Sequence, residues 1–350
     1  MDEQRVRAAI LGFGGIDAER VDSVSVRDGL VQVALRVERG EIERFEPMRA
    51  GLEVALGRMD GVRNAAVVLT AQRAAAAASA PTAAPALLAQ VGAIIAVASG
   101  KGGVGKSTVA VNLAAALAKS GKRVGLLDAD IYGPSLPLML GQRGKPAMMD
   151  NKLVPIAAWG LHAISIGHVV DQETAMVWRG PMVLNALMQL IGQVAWPALD
   201  VMVIDLPPGT GDIQLTLAQR LKLAGAVVVS TPQDIALADA RRGVAMFRQV
   251  RVPILGIVEN MSYFACPHCG ERSEIFGHGG ARAEAERIGV PFLGEVPLLR
   301  AIRETSDAGT PVVVSAPDSE AGLAFSAVAA AVLAQIEAKP VQAGPRIVIE

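Results

Sequence analysis

Cysteine is nearly missing: the 350-residue chain holds two, Cys266 and Cys269. Two thiols cannot build the multi-bridge framework of a small secreted domain, so their C-x-x-C spacing raises a metal or redox role instead. Net charge is nearly missing too, at -1, which removes the general electrostatic reason to expect nucleic acid or an acidic membrane as partner. The charged start Met1-Asp2-Glu3-Gln4-Arg5 has no apolar segment behind it, so no secretory signal is expected. The longest late apolar tract, Leu323 to Ile336, is alanine-rich and shorter than a bilayer span. With 51% hydrophobic and 19% charged residues, the expectation is a soluble, cytoplasmic, globular protein long enough for two domains.

What is present is glycine concentrated in one loop. Gly100-Lys101-Gly102-Gly103-Val104-Gly105-Lys106-Ser107-Thr108 follows the apolar run Ile94-Ile95-Ala96-Val97-Ala98 and leads into a helical pattern from Val109 to Leu117. That is the strand, loop, helix order of a phosphate-binding loop, with the full G-x-x-x-x-G-K-S spacing. The glycines let successive N–H groups curl round phosphates, Lys106 would meet the β- and γ-phosphates, and Ser107 would offer its hydroxyl to Mg²⁺. A glycine-rich turn that binds no phosphate is the competing explanation.

Residues 1–72 predict a small α+β domain. Ser23-Val24-Ser25-Val26-Arg27 and Leu30 to Val37 alternate on either side of Asp28-Gly29, a hairpin signal. A helical pattern covers Phe45 to Met59, and Val62 to Leu69 suggests a third strand. This unit has no Cys and no His, so it cannot hold a metal through thiolates. Residues 73–90, rich in alanine with Pro81 and Pro85, form an expected linker. From residue 91 continuous apolar runs alternate with helical stretches. The runs are Ala93 to Ser99, Arg123 to Leu127, Leu161 to Ile166, Val201 to Ile204, Ala226 to Ser230, Ile254 to Val258 and Val312 to Val314. Such runs suit a doubly wound, mainly parallel α/β sheet covered on both faces, with ligands at the carboxyl ends of its strands. The domain is expected over 91–338, with 339–350 as a tail.

Acidic residues stand at two of those strand ends. Asp128 and Asp130, two residues apart, could hold Mg²⁺ through water and polarise an attacking water, though an ordinary solvated turn has the same sequence. Asp205 closes the apolar strand Val201 to Ile204 where it can complete the Mg²⁺ shell. Asn260, at another strand end, can read an adenine edge or close a turn on its own backbone; Pro232 and Gln233 are weaker candidates to border the base. In Cys266-Pro267-His268-Cys269-Gly270 two thiolates at knuckle spacing supply half of a four-thiolate site. A second copy of the chain, His268 or His278 could complete it, or the pair could be a redox dithiol. Zinc and an iron-sulfur cluster fit the spacing equally. His268 reads as solvated and His278 as structural.

The loop K-G-G-V-G-K-S-T resembles the deviant Walker A of the SIMIBI ATPases. With D-A-D-I-Y-G-P-S, D-L-P-P-G-T-G-D and N-M-S-Y-F-A-C-P-H-C-G in this order, residues 91–338 resemble the Mrp/ApbC iron-sulfur carrier ATPases, and 1–72 resembles the accessory domain often fused ahead of them. The resemblance implies an ATP-hydrolysing homodimer in which Lys101 reaches the partner's nucleotide. It implies further that Asp130 activates water with Asp128 near the metal, that Gly209 or Gly211 turns an N–H toward the γ-phosphate, and that the Trp178-Arg179-Gly180-Pro181 tract supports the dimer or a switch. Cys266 and Cys269 from two subunits would bridge a [4Fe-4S] cluster, delivered to apoproteins alongside assembly factors. The rival readings are a partition-type positioning ATPase, which the tail with its single Arg346 and terminal Glu350 supports poorly, and an ATP-dependent dimer with a structural zinc bridge.

Overall fold

The computed structural model describes residues 3–13, 16–17, 20–27, 30–38, 41–72, 88–169 and 180–338. They fall into two compact units, 1–84 and 85–350. The expected linker lies mostly outside the described residues, as do the Asp28-Gly29 turn, Trp178, Arg179 and the tail.

In the first unit α1 (Glu3–Gly12) precedes the predicted hairpin, helix and third strand, which are β1 (Val21–Arg27), β2 (Leu30–Glu38), α2 (Ile42–Gly57) and β3 (Asn64–Gln72). β1 and β2 pair antiparallel, closing at Arg27 opposite Leu30, while β2 and β3 run parallel. Alternation decides which face is covered: Val31, Val33, Leu35 and Val37 are buried with Ile10, Leu52 and Leu56 of the helices, while Gln32 and Arg36 point away.

The second unit begins with β4 (Val91–Ala98), α3 (Lys106–Lys119), β5 (Val124–Asp128), α4 (Leu136–Met139), β6 (Met148–Met149), β7 (Lys152–Leu153), β8 (Ile156–Ala158) and β9 (Leu161–Ser165). A 3₁₀ turn, Ile166–His168, follows, then α5 (Gly180–Gln193), β10 (Leu199–Asp205), α6 (Asp212–Arg220), β11 (Gly225–Ser230), α7 (Asp234–Gln249) and β12 (Ile254–Ala265). The chain continues through β13 (Arg272–Ser273), α8 (Gly280–Ile288), β14 (Phe292–Leu298), α9 (Arg300–Asp307), α10 (Val312–Ser315) and α11 (Glu320–Ala338). The main sheet runs β13-β12-β11-β4-β10-β5-β9-β8, with β14 also on β12. All its pairs are parallel except β12 with β13 and β8 with β9.

Successive residues of β4 serve opposite cores, which is why its sequence is apolar throughout. Ile95 and Val97 face α3 and α11, whereas Ile94, Ala96 and Ala98 face the layer of α5, α7 and α8. α11 is long and apolar enough to cross a membrane by length and composition, yet Phe325, Val328 and Val332 are buried in the core against α3 and β14.

One expected strand is a helix. Val312 to Val314 forms the single turn α10 behind Pro311, and the Val313 N–H donates to Asn112 Oδ1 of α3 at 3.3 Å. The side-chain anchor overrides the β preference of a valine run. Parallel pairing fixes what matters for the site: Asp205 lies opposite both Val97 and Asp128, and Asp128 opposite Ser165. Three polar residues therefore stand in one row across the carboxyl ends of β10, β5 and β9.

Candidate functional site

The phosphate loop is shaped by left-handed glycines at its turn into α3. Gly103 and Gly105 have φ of 82° and 80°, a region L side chains avoid, and Gly105 is the N-cap of α3. A Cβ at Gly105 would run into the side-chain amide of Asn260. Asn260 is buried and donates from Nδ2 to Val104 O at 2.9 Å, bracing the loop. Lys101 has no ion-pair partner among the described residues, and its carbonyl accepts the Ser99 hydroxyl at 2.8 Å.

Lys106, 6% exposed, lies 2.5 Å from Asp205 Oδ1 and 3.8 Å from Asp130 Oδ2, and it donates to Ser107 Oγ at 3.2 Å. One oxygen of each acid, Asp205 Oδ2 and Asp130 Oδ1, is buried without a hydrogen-bond partner. Such orphaned acceptors are costly unless something else meets them. Burial raises the Asp205 carboxyl above its ordinary value, with Lys106 pulling the other way.

Asp128 has another occupation. Sequence reading sets it near the metal; in the structure its Oδ1 accepts the Asp130 N–H at 3.0 Å, and its Oδ2 accepts Ser135 N–H at 3.1 Å, Leu136 N–H at 3.3 Å and the Ser165 hydroxyl at 2.9 Å. It anchors the loop that carries Asp130. Burial, and next the Asp205 charge, push the Asp128 carboxyl up to about 7 against those donors. In the loop after β10, the Gly209 N–H donates to Ser99 O at 2.9 Å, and Gly211 is the N-cap of α6.

Beside Gly105 and Asn260 opens a cavity of about 390 Å³, walled by Met139 of α4, by Pro297 of β14, by Leu299 just after that strand, and by Ile302 of α9. That volume suits a small ligand. Pro232 and Gln233 are not among its walls. Sequence reasoning missed Pro297, Leu299 and Ile302, whose apolar side chains carry no chemical signature.

The cysteines follow β12 directly. Cys266 is half-buried and Cys269 exposed, both as free thiols. The Gly270 N–H donates to Cys266 O and the Cys266 N–H to Glu271 O, each at 2.9 Å, while β12 and β13 pair across the loop at Ala265 and Arg272. The amides of Cys269 and then His268 donate toward the Cys266 sulfur and lower its thiol below the ordinary value, the arrangement a thiolate ligand needs. His268 is exposed. His278 Nδ1 lies 2.9 Å from Ser262 Oγ, which donates to the buried Glu259 at 2.5 Å. The knuckle is braced on α11, where the Tyr263 hydroxyl donates to Glu320 at 2.7 Å and Arg272 lies 4.0 Å over the Tyr263 ring.

A profile described as the NUBPL iron-transfer P-loop NTPase of the ParA group matches residues 90–333. The chain belongs to this family. The chain is 57% identical over 234 residues to an Arabidopsis thaliana protein named iron-sulfur protein required for NADH dehydrogenase, mitochondrial, the match covering 66% of this chain and 75% of that one. It is 56% identical over 245 residues to the Escherichia coli iron-sulfur cluster carrier protein, covering 69% of this chain and 66% of that one. Among solved structures it resembles the nucleotide-binding protein of Archaeoglobus fulgidus in complex with ADP, with a TM-score of 0.57 and 43% identity over 64% of this chain and 88% of the other. The Mrp/ApbC resemblance and the doubly wound fold read from the sequence are thereby borne out.

Proposed function

We propose that the protein is an ATP-binding and ATP-hydrolysing homodimer that carries a [4Fe-4S] cluster and transfers it to apoproteins. The observation that carries this is that one strand serves both chemistries: β12 bears Asn260 against the phosphate loop and runs to Ala265, directly before Cys266. The names of the relatives, iron-sulfur carriers among them, support the cargo, and the ADP in the Archaeoglobus protein supports the nucleotide.

The residues suit the roles. Loop amides from Gly100 to Thr108 and the Lys106 ammonium hold phosphate charge, and Asn260 Oδ1 accepts from the adenine amino group. Mg²⁺ fits the Ser107 hydroxyl and Asp205, whose buried Oδ2 lacks a donor; bound there it would neutralise charge on the phosphates. Asp130, with a free buried oxygen beside Lys106, orients the attacking water, while Asp128 holds its loop from behind. Lys101 is the cation given to the partner's nucleotide, so hydrolysis requires the dimer. Cys266 and Cys269 give two thiolates per chain, and two chains complete a four-thiolate set for the cluster as cargo. The cytoplasm is the proposed location, and apo iron-sulfur proteins with their assembly factors the proposed partners.

Lys101→Ala tests the arrangement without disturbing the buried site. The expected result is nucleotide binding near the wild-type level, loss of ATP-dependent dimer on light scattering, and loss of both ATP turnover and loading of a [4Fe-4S] apoenzyme. Full turnover by that variant would overturn the dimer-dependent reading.

A further inference from the structure

The row of strand ends does not stop at the two acids. Ser165, the last residue of β9, is fully buried opposite Asp128, and its hydroxyl donates to Asp128 Oδ2 at 2.9 Å while accepting the Gly167 N–H at 3.0 Å. His168, buried at the end of the 3₁₀ turn, accepts the Ser165 N–H on Nδ1 at 3.0 Å. That bond puts the ring hydrogen on Nε2, which donates to Gln142 O at 2.8 Å. The turn therefore grips the segment between β5 and β6 at two points. Through Ser165 it holds Asp128, which fixes the Asp130 amide in the loop after β5 and the Ser135 and Leu136 amides at the front of α4. Through His168 it holds Gln142, just past the end of α4.

The gripped segment contributes to both halves of the nucleotide site. Asp130 stands 3.8 Å from Lys106, and Ser135, Leu138 and Met139 wall the cavity beside Gly105 and Asn260. We propose that Ser165 and His168 are positioning residues for the nucleotide reaction: Ser165, through Asp128, sets Asp130 for hydrolysis, and His168, through Gln142, sets α4 as a wall of the nucleoside pocket. The inference rests on the reading of Asp130 as the water-orienting acid.

The two grips separate by substitution. Ser165→Ala removes the only side-chain donor to Asp128 among the described residues. His168→Asn keeps an acceptor for the Ser165 N–H but is too short for Gln142, whereas His168→Gln keeps a donor for Gln142. The experiment is steady-state ATP hydrolysis with binding of a fluorescent ATP analogue, on full-length wild type, these three variants and Asp130→Asn, with melting temperatures alongside. Loss of one hydrogen bond at a site of this kind is worth about tenfold. Ser165→Ala is expected to lower kcat about tenfold with KM and Kd within about twofold. His168→Asn is expected to raise KM and Kd about tenfold with the smaller effect on kcat, and His168→Gln to restore affinity.

A dead Asp130→Asn beside a Ser165→Ala variant with wild-type kcat overturns the Ser165 assignment. Unchanged Kd in His168→Asn, or equal losses in both His168 variants, overturns the His168 assignment. An active Asp130→Asn instead refutes the underlying role of Asp130, and with it the Ser165 assignment. If wild type binds but never hydrolyses ATP, the hydrolysis reading fails with Ser165's role, and the Kd of the His168 variants still decides the pocket wall.

Discussion

Replacing Lys106 with methionine keeps the length of the side chain and removes the charge from the centre of the site. Two carboxylates share that cation: Asp205 is fully buried, Asp130 is 8% exposed, and Lys106 meets Asp205 at 2.5 Å and Asp130 at 3.8 Å. Removing one partner of a buried pair costs about 3–5 kcal/mol, because the other charge stays desolvated and unpaired. The loss should depend on pH. An acid whose folded-state pKa is raised keeps its proton in the fold and releases it on unfolding, so the folded state gains as pH falls toward the unfolded value. Wild type has that slope from Asp128, between 3.8 and about 7. The variant acquires a further share from Asp205, which no longer has Lys106 pulling its pKa down. The deficit should therefore be smaller at pH 6 than at pH 8. Urea unfolding followed by tryptophan fluorescence measures it, since Trp159, Trp178 and Trp196 all lie in the nucleotide unit. A variant within about 1 kcal/mol of wild type at both pH values would refute the buried-charge argument.

Asn260→Ala removes the brace on Val104 O and the acceptor offered to the base, so the Kd for ATP should rise about tenfold; isothermal calorimetry showing unaltered affinity would remove Asn260 from the pocket. Cys266, its thiol lowered by the Cys269 and His268 amides, should react with iodoacetamide at pH 7 faster than a free-cysteine peptide, the advantage shrinking at higher pH as the peptide ionises too; equal rates at pH 7 would count against the knuckle geometry. Phe325→Ala opens a cavity where α11 meets α3, and a loss of about 3–5 kcal/mol is expected in the urea assay. No change in the midpoint would mean that α11 does not seal that core.

Legibility from sequence followed the range of the interactions. Gly100 to Thr108 and the strand ending at Asp205 are short patterns whose chemistry is local, and the parallel register then sets Asp205 beside Asp128. The apolar runs of β4 and β5 announced a sheet covered on both faces. Val312 to Val314 misled because a side chain 201 residues away, Asn112, pins the turn. β14 escaped notice, since Gly294 and Pro297 interrupt its pattern and its partner β12 is a bulged strand. Asp128 looked like one half of a D-x-D pair; the donors that make it an anchor come from 2, 7, 8 and 37 residues onward. Nothing in Ser165-Ile166-Gly167-His168 marks that turn as a clamp until β9 is laid beside β5.

The central claim, that two chains hold a transferable cluster through Cys266 and Cys269, is tested most directly by iron, acid-labile sulfide and zinc analysis with a visible spectrum. The protein should be reconstituted without oxygen and compared with the Cys266→Ser/Cys269→Ser variant. The account predicts about four iron and four sulfide per two chains, absent from the variant. Stoichiometric zinc without sulfide, or a cluster that persists in the variant, would contradict it.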